Sequence, residues 1–85
     1  MTEAVFTPLR IGPIELSNRL ALAPVKTALG NGDGLVSSRH RAYYRRRAEG
    51  GVGLIVLEPA FIDRRGREHP SQLAADHDGV VPALR

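Results

Sequence analysis

Two short apolar runs, each ending at a proline, limit what this chain can fold into. The first run covers residues 20–23 and ends at Pro24, and the second covers residues 52–57 and ends at Glu58-Pro59. Both are too short for a helix, and an uninterrupted apolar run is typical of a parallel strand with both faces covered. Proline lacks the N–H that a ladder hydrogen bond needs, so it ends a strand. The pattern therefore predicts two buried parallel strands.

A helix is predicted between these strands, at residues 38–49. Ser37 and Ser38 are good N-cap residues, and Gly50-Gly51 ends the helix. We expect the two tyrosines on its inner face to supply most of the burial, and the arginine there to snorkel or pair. Strand, helix and parallel strand form one βαβ unit, so the fold class is α/β. The residues of the inner face are His40, Tyr43, Tyr44, Arg47 and Ala48.

The remaining segments are assigned from turn and loop signals. A Gly-Pro pair predicts a small hairpin over residues 10–16. Residues 30–34 form a glycine-rich loop that lacks the phosphate-binding Gly-Lys-Ser/Thr sequence. We expect an exposed polar turn at residues 63–68, irregular chain at 74–78, and the opening of another helix at 80–84.

Composition narrows the class of protein. The sequence has 85 residues, 42% of them hydrophobic, with a net charge of +3 and no cysteine. It makes at most one small globular domain, without disulfides or thiolate metal sites. His40, His69 and His77 lack metal-ligand spacing, so no metal site is predicted. We expect His40 to pack rather than to catalyse. Because no membrane span or secretory signal is visible, we expect a cytoplasmic location.

Arginine is concentrated in one part of the predicted helix. Such a basic patch is compatible with nucleic-acid binding, but a solvated helix face is the commoner meaning and is favoured here. Nucleic acid is therefore not an expected partner. A non-catalytic interaction or nucleic-acid-binding module remains the alternative function. The arginines concerned are Arg39, Arg41, Arg45, Arg46 and Arg47.

Candidate ligand-binding residues lie where the two strands end. In an α/β barrel the loops after the strands build the active site, so residues 23–27 and 58–60 are candidates. Lys26 is either a solvated loop lysine or a positive charge beside an electron-rich ring, and its position alone does not separate the two. Glu58 is either a general base or the partner of an arginine such as Arg19. The structural pairing is favoured.

A series of short motifs runs along the chain in a fixed order from about residue 5 to residue 85. They are Phe6-Thr7-Pro8-Leu9, Asn18-Arg19, Ala23-Pro24-Val25, His40-x-x-Tyr43-Tyr44-x-x-Arg47-Ala48, Gly50-Gly51-Val52-Gly53-Leu54-Ile55, Gly66-Arg67 and Gln72-Leu73. This ordered set resembles the N-terminal quarter of the Old Yellow Enzyme family of NADH:flavin oxidoreductases. No single motif is decisive, but their order and spacing make the set specific.

The resemblance implies a fold. The family fold is a (β/α)8 TIM barrel that binds FMN at its C-terminal mouth, with an N-terminal hairpin closing the opposite end. Residues 1–85 are then expected to be the N-terminal portion of such a barrel, with no internal domain boundary. A complete barrel takes about 200–250 residues, so the chain alone is expected to be incomplete and inactive. Its expected partner is the remainder of the barrel, from the same gene or a second chain.

The resemblance also implies a cofactor site. Carried over from the family, Ala23, Pro24, Val25 and Lys26 lie along the isoalloxazine ring of FMN, and Pro59 adds a further contact. Many members have Thr or Cys where this chain has Lys26, and a lysine is expected to favour the reduced, anionic flavin. Pro59 offers no N–H, so it contacts the flavin through apolar atoms or its carbonyl. The family's catalytic residues lie beyond position 85.

The implied activity is hydride transfer through the flavin. NAD(P)H reduces FMN, which passes hydride to a small-molecule acceptor with an unsaturated carbonyl or an enoate-type group. A truncated product with no function of its own remains a further alternative.

Overall fold

The structure, a computed structural model, describes residues 2–85 and begins with a 3-10 helix at Thr2–Phe6. A hairpin follows, in which β1 (Leu9–Ile11) pairs antiparallel with β2 (Ile14–Leu16). The register joins Leu9 to Leu16 and leaves a two-residue turn between the strands. The predicted hairpin is confirmed and begins one residue earlier than expected.

The two proline-terminated runs form a parallel pair, as predicted. Strand β3 (Ala21–Leu22) lies beside β4 (Leu54–Ile55), with Ala21 opposite Leu54 and Leu22 opposite Ile55. Both strands are shorter than the sequence predicts.

The expectation that both faces of these strands are buried is wrong for the described residues. Leu20, Leu54, Val56 and Leu57 are 37–48% exposed. The reason is physical: a two-stranded pair beside a single long helix has too few neighbours to cover both of its faces.

The predicted helix is confirmed as α1 (Ser38–Glu49). Ser37 is its N-cap, in a reciprocal capping box with His40, and Gly50 is its C-cap. The expected inner face needs two corrections. His40, rather than the tyrosines, is fully buried, and Ala48 is exposed.

The two tyrosines are half-buried and stack edge to face on each other. Their ring centroids are 5.1 Å apart. The Arg47 guanidinium carbon lies 3.7 Å from the centroid of the Tyr43 ring, and Nη1 donates a hydrogen bond to the Tyr43 carbonyl. The expectation that Arg47 finds a partner is confirmed, and the partner is an aromatic face.

A second parallel pair was not predicted. Strand β5 (Ala60–Phe61) pairs with β6 (Leu73–Ala74), across a connection that contains a 3-10 helix at Arg64–Gly66. Ala74 is therefore a strand residue, which corrects the irregular assignment for its position. Phe61 of β5 and Ala74 of β6 form a small core with Val80, and Leu35 packs against it. A 3-10 helix at Asp78–Val80 leads into α2 (Val81–Leu84). The predicted helix opening at residues 80–84 is confirmed, but Asp78, which was expected to be irregular, already belongs to the 3-10 helix.

Candidate functional site

The carboxyl ends of β3 and β4 lie side by side. Because the two strands are parallel and in register, the segments that follow them leave the same edge of the pair. All five residues predicted to contact a cofactor are exposed in these segments, and Val25 is 53% exposed. Four of these side chains are small or apolar, and the fifth is a lysine. They are Ala23, Pro24, Val25, Pro59 and Lys26.

Lys26 has a specific ionic partner. Its Nζ lies 2.8 Å from Oε2 of Glu68, in the connection between β5 and β6. The hydrogen bond and charge from Lys26 lower the pKa of the Glu68 carboxyl below its ordinary value. The two side chains are 38% and 65% exposed, so the pair is open to solvent. Lys26 is therefore neither fully solvated nor buried, and the Glu68 carboxylate offsets part of its charge near the strand ends.

Glu58 is buried, with 4% of its surface exposed, and it collects hydrogen bonds from two elements. The Tyr44 hydroxyl donates to Oε1 at 2.8 Å, and the Thr27 hydroxyl lies 3.0 Å from both carboxylate oxygens. Tyr44 belongs to α1, and Thr27 follows β3. The carboxylate therefore joins α1 to the chain that follows β3, residues 23–29, which we call the β3 segment. We call Glu58, Thr27, Tyr44 and His40 the Glu58 cluster.

The expectation that Glu58 pairs with Arg19 is wrong. Arg19 donates instead to the Thr7 hydroxyl at 3.0 Å and to the Pro8 carbonyl at 3.2 Å. Arg19 precedes β3, whereas Glu58 follows β4. In a parallel pair these positions lie at opposite ends of the strands, which is why they do not meet. Hydroxyl groups of Thr27 and Tyr44 take the place of the expected arginine.

The tyrosine of the cluster has a strongly perturbed acidity. Burial, and next the hydrogen bond to Glu58, raise the pKa of Tyr44 from 10.0 to about 12. Its hydroxyl also accepts a hydrogen bond from the Glu58 N–H at 3.0 Å. Tyr44 therefore stays protonated across the neutral range and acts as a fixed donor to the carboxylate.

The hydrogen bonds of His40 define its tautomer. The Ser37 N–H donates to Nδ1 at 3.0 Å, so this nitrogen is an acceptor without a proton. In the neutral ring the proton then lies on Nε2, which is 3.4 Å from Oε1 of Glu58 and has no hydrogen-bond partner among residues 2–85. The expectation that His40 is a packing residue agrees with its complete burial.

Sequence reasoning did not assign a role to Asn18, which holds the other end of the strand pair. Its Oδ1 accepts from the N–H groups of Leu20 and Gly53, and its Nδ2 donates to the Gly51 carbonyl. A Cβ on Gly53 would lie 2.6 Å from the Asn18 carbonyl oxygen, so this close approach requires glycine. The sequence signal for this role was an asparagine shortly before the first apolar run, together with the glycines at the start of the second run.

No helix within residues 2–85 is long and apolar enough to cross a bilayer. In the same range, no group of three or more His, Cys, Asp or Glu side chains is placed to hold a metal ion.

Residues 4–85 match the model of the NADH:flavin oxidoreductase / NADH oxidase family. The chain belongs to this family. The predicted family is therefore confirmed, and with it FMN as the family's cofactor.

Relatives and solved structures agree with the family. The chain is 44% identical over 75 residues to an NADH oxidase of Thermoanaerobacter brockii, covering 87% of the chain and 12% of that protein. It superposes on a 2-naphthoyl-CoA reductase with a TM-score of 0.90 and 28% identity, covering 99% of the chain and 13% of that protein. The Old Yellow Enzyme from Pichia sp. AKU4542 gives 0.83 and 28%, covering 93% of the chain and 20% of that protein.

These matches confirm the α/β fold class and its TIM-barrel relationship. The chain corresponds to a small share of each barrel protein, and the strand pairs among its described residues do not form a closed barrel.

Proposed function

We propose that this chain forms one edge of the FMN site in an NAD(P)H-dependent oxidoreductase. The observation that carries the proposal is the parallel register of β3 and β4, which places two exposed apolar segments at one edge. Ala23, Pro24 and Val25 supply one segment, and Pro59 supplies the other. Residues 1–85 would then be the N-terminal portion of one barrel domain, without an internal boundary.

The residues present fit a flavin. An isoalloxazine ring is flat and largely apolar, so it is stabilised by exposed aliphatic surface and by backbone that it can approach closely. The first segment has a proline and small side chains, and the second offers the ring atoms and carbonyl of Pro59. The bound FMN would supply hydride-transfer chemistry, while the protein supplies orientation and electrostatics. The residues of this chain bind and orient the ring, and Lys26 brings a positive charge to its edge.

FMN binding by the complete gene product tests the site. We expect Val25→Asp to weaken FMN binding roughly tenfold or more, because a carboxylate replaces apolar surface against the ring. Val81→Asp is the matched control, since Val81 is 41% exposed and lies outside the proposed site. Fluorescence titration with FMN gives both dissociation constants. Equal affinities for the parent and Val25→Asp would contradict the site, and a parent that binds no FMN would contradict the proposed function.

Lys26 has a separate proposed role. A positive charge beside the ring favours the reduced, anionic flavin, so it should raise the reduction potential. We expect Lys26→Ala to lower the potential of the bound flavin in a dye-coupled titration. An unchanged potential would remove the role of Lys26 while leaving the site itself intact.

The acceptor is proposed as a small molecule with an unsaturated carbonyl or enoate-type group. An anaerobic assay of NAD(P)H oxidation with an α,β-unsaturated ketone tests this class. Oxidation that proceeds only with oxygen would contradict the acceptor and leave the FMN site standing. The isolated 85-residue chain is proposed to be inactive and to need the remainder of the barrel.

The alternative function rests on the exposed arginines of α1. Arg39, Arg41, Arg45 and Arg46 are exposed, as expected for a solvated face. Polynucleotide binding is electrostatic and weakens steeply with salt when it is non-specific. Binding that survives high salt would favour the nucleic-acid alternative over the flavin site.

A further inference from the structure

We propose that Glu58 is a positioning residue that holds the β3 and β4 ends in the arrangement that receives the flavin ring. The inference rests on the proposed FMN site and adds a residue to which that site assigns no contact. Glu58 immediately precedes Pro59, and its hydrogen-bond partner Thr27 immediately follows Lys26. The bond between Glu58 and Thr27 therefore joins the two proposed flavin-contacting segments directly behind their exposed surface.

The Glu58 side chain is held from the helix side as well. Tyr44 both donates to the carboxylate and accepts from the Glu58 N–H, which fixes the main chain and the side chain of the same residue. His40 closes the third side at 3.4 Å. Its Nδ1 already accepts the Ser37 N–H, so in the neutral ring the proton is on Nε2, the nitrogen nearer Glu58, although Nε2 makes no hydrogen bond to it among residues 2–85. The capping box of α1 thus orients a side chain of the Glu58 cluster.

The β3 segment needs such an anchor because its backbone is strained. Ala28 has φ +57°, a left-handed conformation that alanine rarely adopts. The Thr27 hydroxyl beside it donates to Glu58 and accepts from the Leu29 N–H at 3.3 Å. Strained residues persist where surrounding contacts hold them in place. Loss of the bond to Glu58 should therefore let the segment from Ala23 to Leu29 relax away from β4.

Two variants weaken the bond from either side with little change in shape. Thr27→Val removes the hydroxyl. Glu58→Gln removes the negative charge and leaves one acceptor oxygen, for which the Thr27 and Tyr44 hydroxyls then compete. Thr27→Ser restores the hydroxyl and should rescue the effect. Glu15→Gln is the matched control, because Glu15 is an exposed carboxylate in β2.

Hydrogen–deuterium exchange of the flavin-free complete gene product is the first readout. In both test variants we expect exchange over residues 25–30 to accelerate roughly tenfold, the effect of losing one hydrogen bond. Glu58→Gln isolates the bond to Glu58, because it leaves the hydrogen bond from the Leu29 N–H to the Thr27 hydroxyl in place. Thr27→Ser and Glu15→Gln should exchange like the parent. Unchanged exchange in both test variants would overturn the proposal whether or not flavin binds.

FMN affinity and the visible flavin spectrum, recorded well below each melting temperature, are the second readout. We expect both test variants to raise the FMN dissociation constant roughly tenfold and to shift the flavin absorption bands. Variants that melt earlier but keep the parent's affinity and spectrum would reduce Glu58 to a stabilising residue and overturn the proposal. A parent that binds no FMN overturns the proposed function itself, and this is seen before any variant is made.

Discussion

Replacing Asn18 by alanine should open the end of the strand pair opposite the candidate site. The Asn18 side chain is 8% exposed and makes three hydrogen bonds, two to N–H groups and one to a carbonyl. Alanine removes all three and leaves a cavity where the amide was. The Gly53 N–H keeps its second acceptor, the Leu20 carbonyl at 3.1 Å. The Leu20 N–H and the Gly51 carbonyl lose the partner that the Asn18 amide gave them.

The expected cost follows from those bonds. Each typical hydrogen bond contributes a net 0.5–1.5 kcal/mol, so losing three should lower the free energy of unfolding by about 3 kcal/mol. Asn18→Asp keeps the acceptor and loses the donor to Gly51. It should therefore lose a smaller amount, about 1 kcal/mol or somewhat more.

Urea denaturation of the complete gene product, followed by circular dichroism, measures the effect. Asn31→Ala is the matched control, because Asn31 is exposed in the glycine-rich loop. Its free energy of unfolding should change by less than about 0.5 kcal/mol. If Asn18→Ala lowers the free energy of unfolding no more than Asn31→Ala, the Asn18 hydrogen bonds between the starts of β3 and β4 do not contribute to stability.

Three further predictions concern the glycine-rich loop and α1. Gly34→Ala should lower the free energy of unfolding more than Gly32→Ala. Both glycines have positive φ, but only at position 34 would a Cβ collide with its surroundings. The difference between the urea midpoints of the two variants therefore measures the collision. Ser37→Ala should lose the N-cap and about 1 kcal/mol of stability, whereas Ser38→Ala, at the exposed first helical position, should be nearly neutral by the same measurement. Because folding raises the pKa of Tyr44 from 10.0 to about 12, its contribution to stability is complete below pH 10 and is lost as pH rises towards 12. Melting curves across that range check it, and a loss of equal size in Tyr44→Phe would contradict it.

Much of the local structure could be predicted from the sequence. Ser37 and Gly50 define the ends of α1 because capping depends on residues within one turn. The expectation that Pro24 and Pro59 end the two strands is wrong, because β3 ends at Leu22 and β4 at Ile55, before either proline is reached. Strand lengths and burial could not be read in the same way, since they depend on which neighbours cover each face.

The pair of β5 and β6 was missed because its signal is weak. Each strand has two residues, Ala60–Phe61 and Leu73–Ala74, and neither lies in an extended apolar run. What holds them is the contact of Phe61 and Ala74 with Val80, together with the hydrogen bond from the Ala74 N–H to the Gly34 carbonyl. Such contacts appear only once the chain has folded back on itself.

The amino-acid sequence by itself determined the family, the βαβ unit and the residues that follow each strand. Those properties depend on neighbours in the chain and on the order of short motifs. Only the tertiary structure decided that Glu58 binds Thr27 and Tyr44 rather than Arg19, and that Lys26 pairs with Glu68. These partners are 14 to 42 residues apart, and a hydrogen bond or ion pair acts over a few ångströms. The path of the backbone, rather than the residue types, therefore selects which of several chemically suitable partners is within reach.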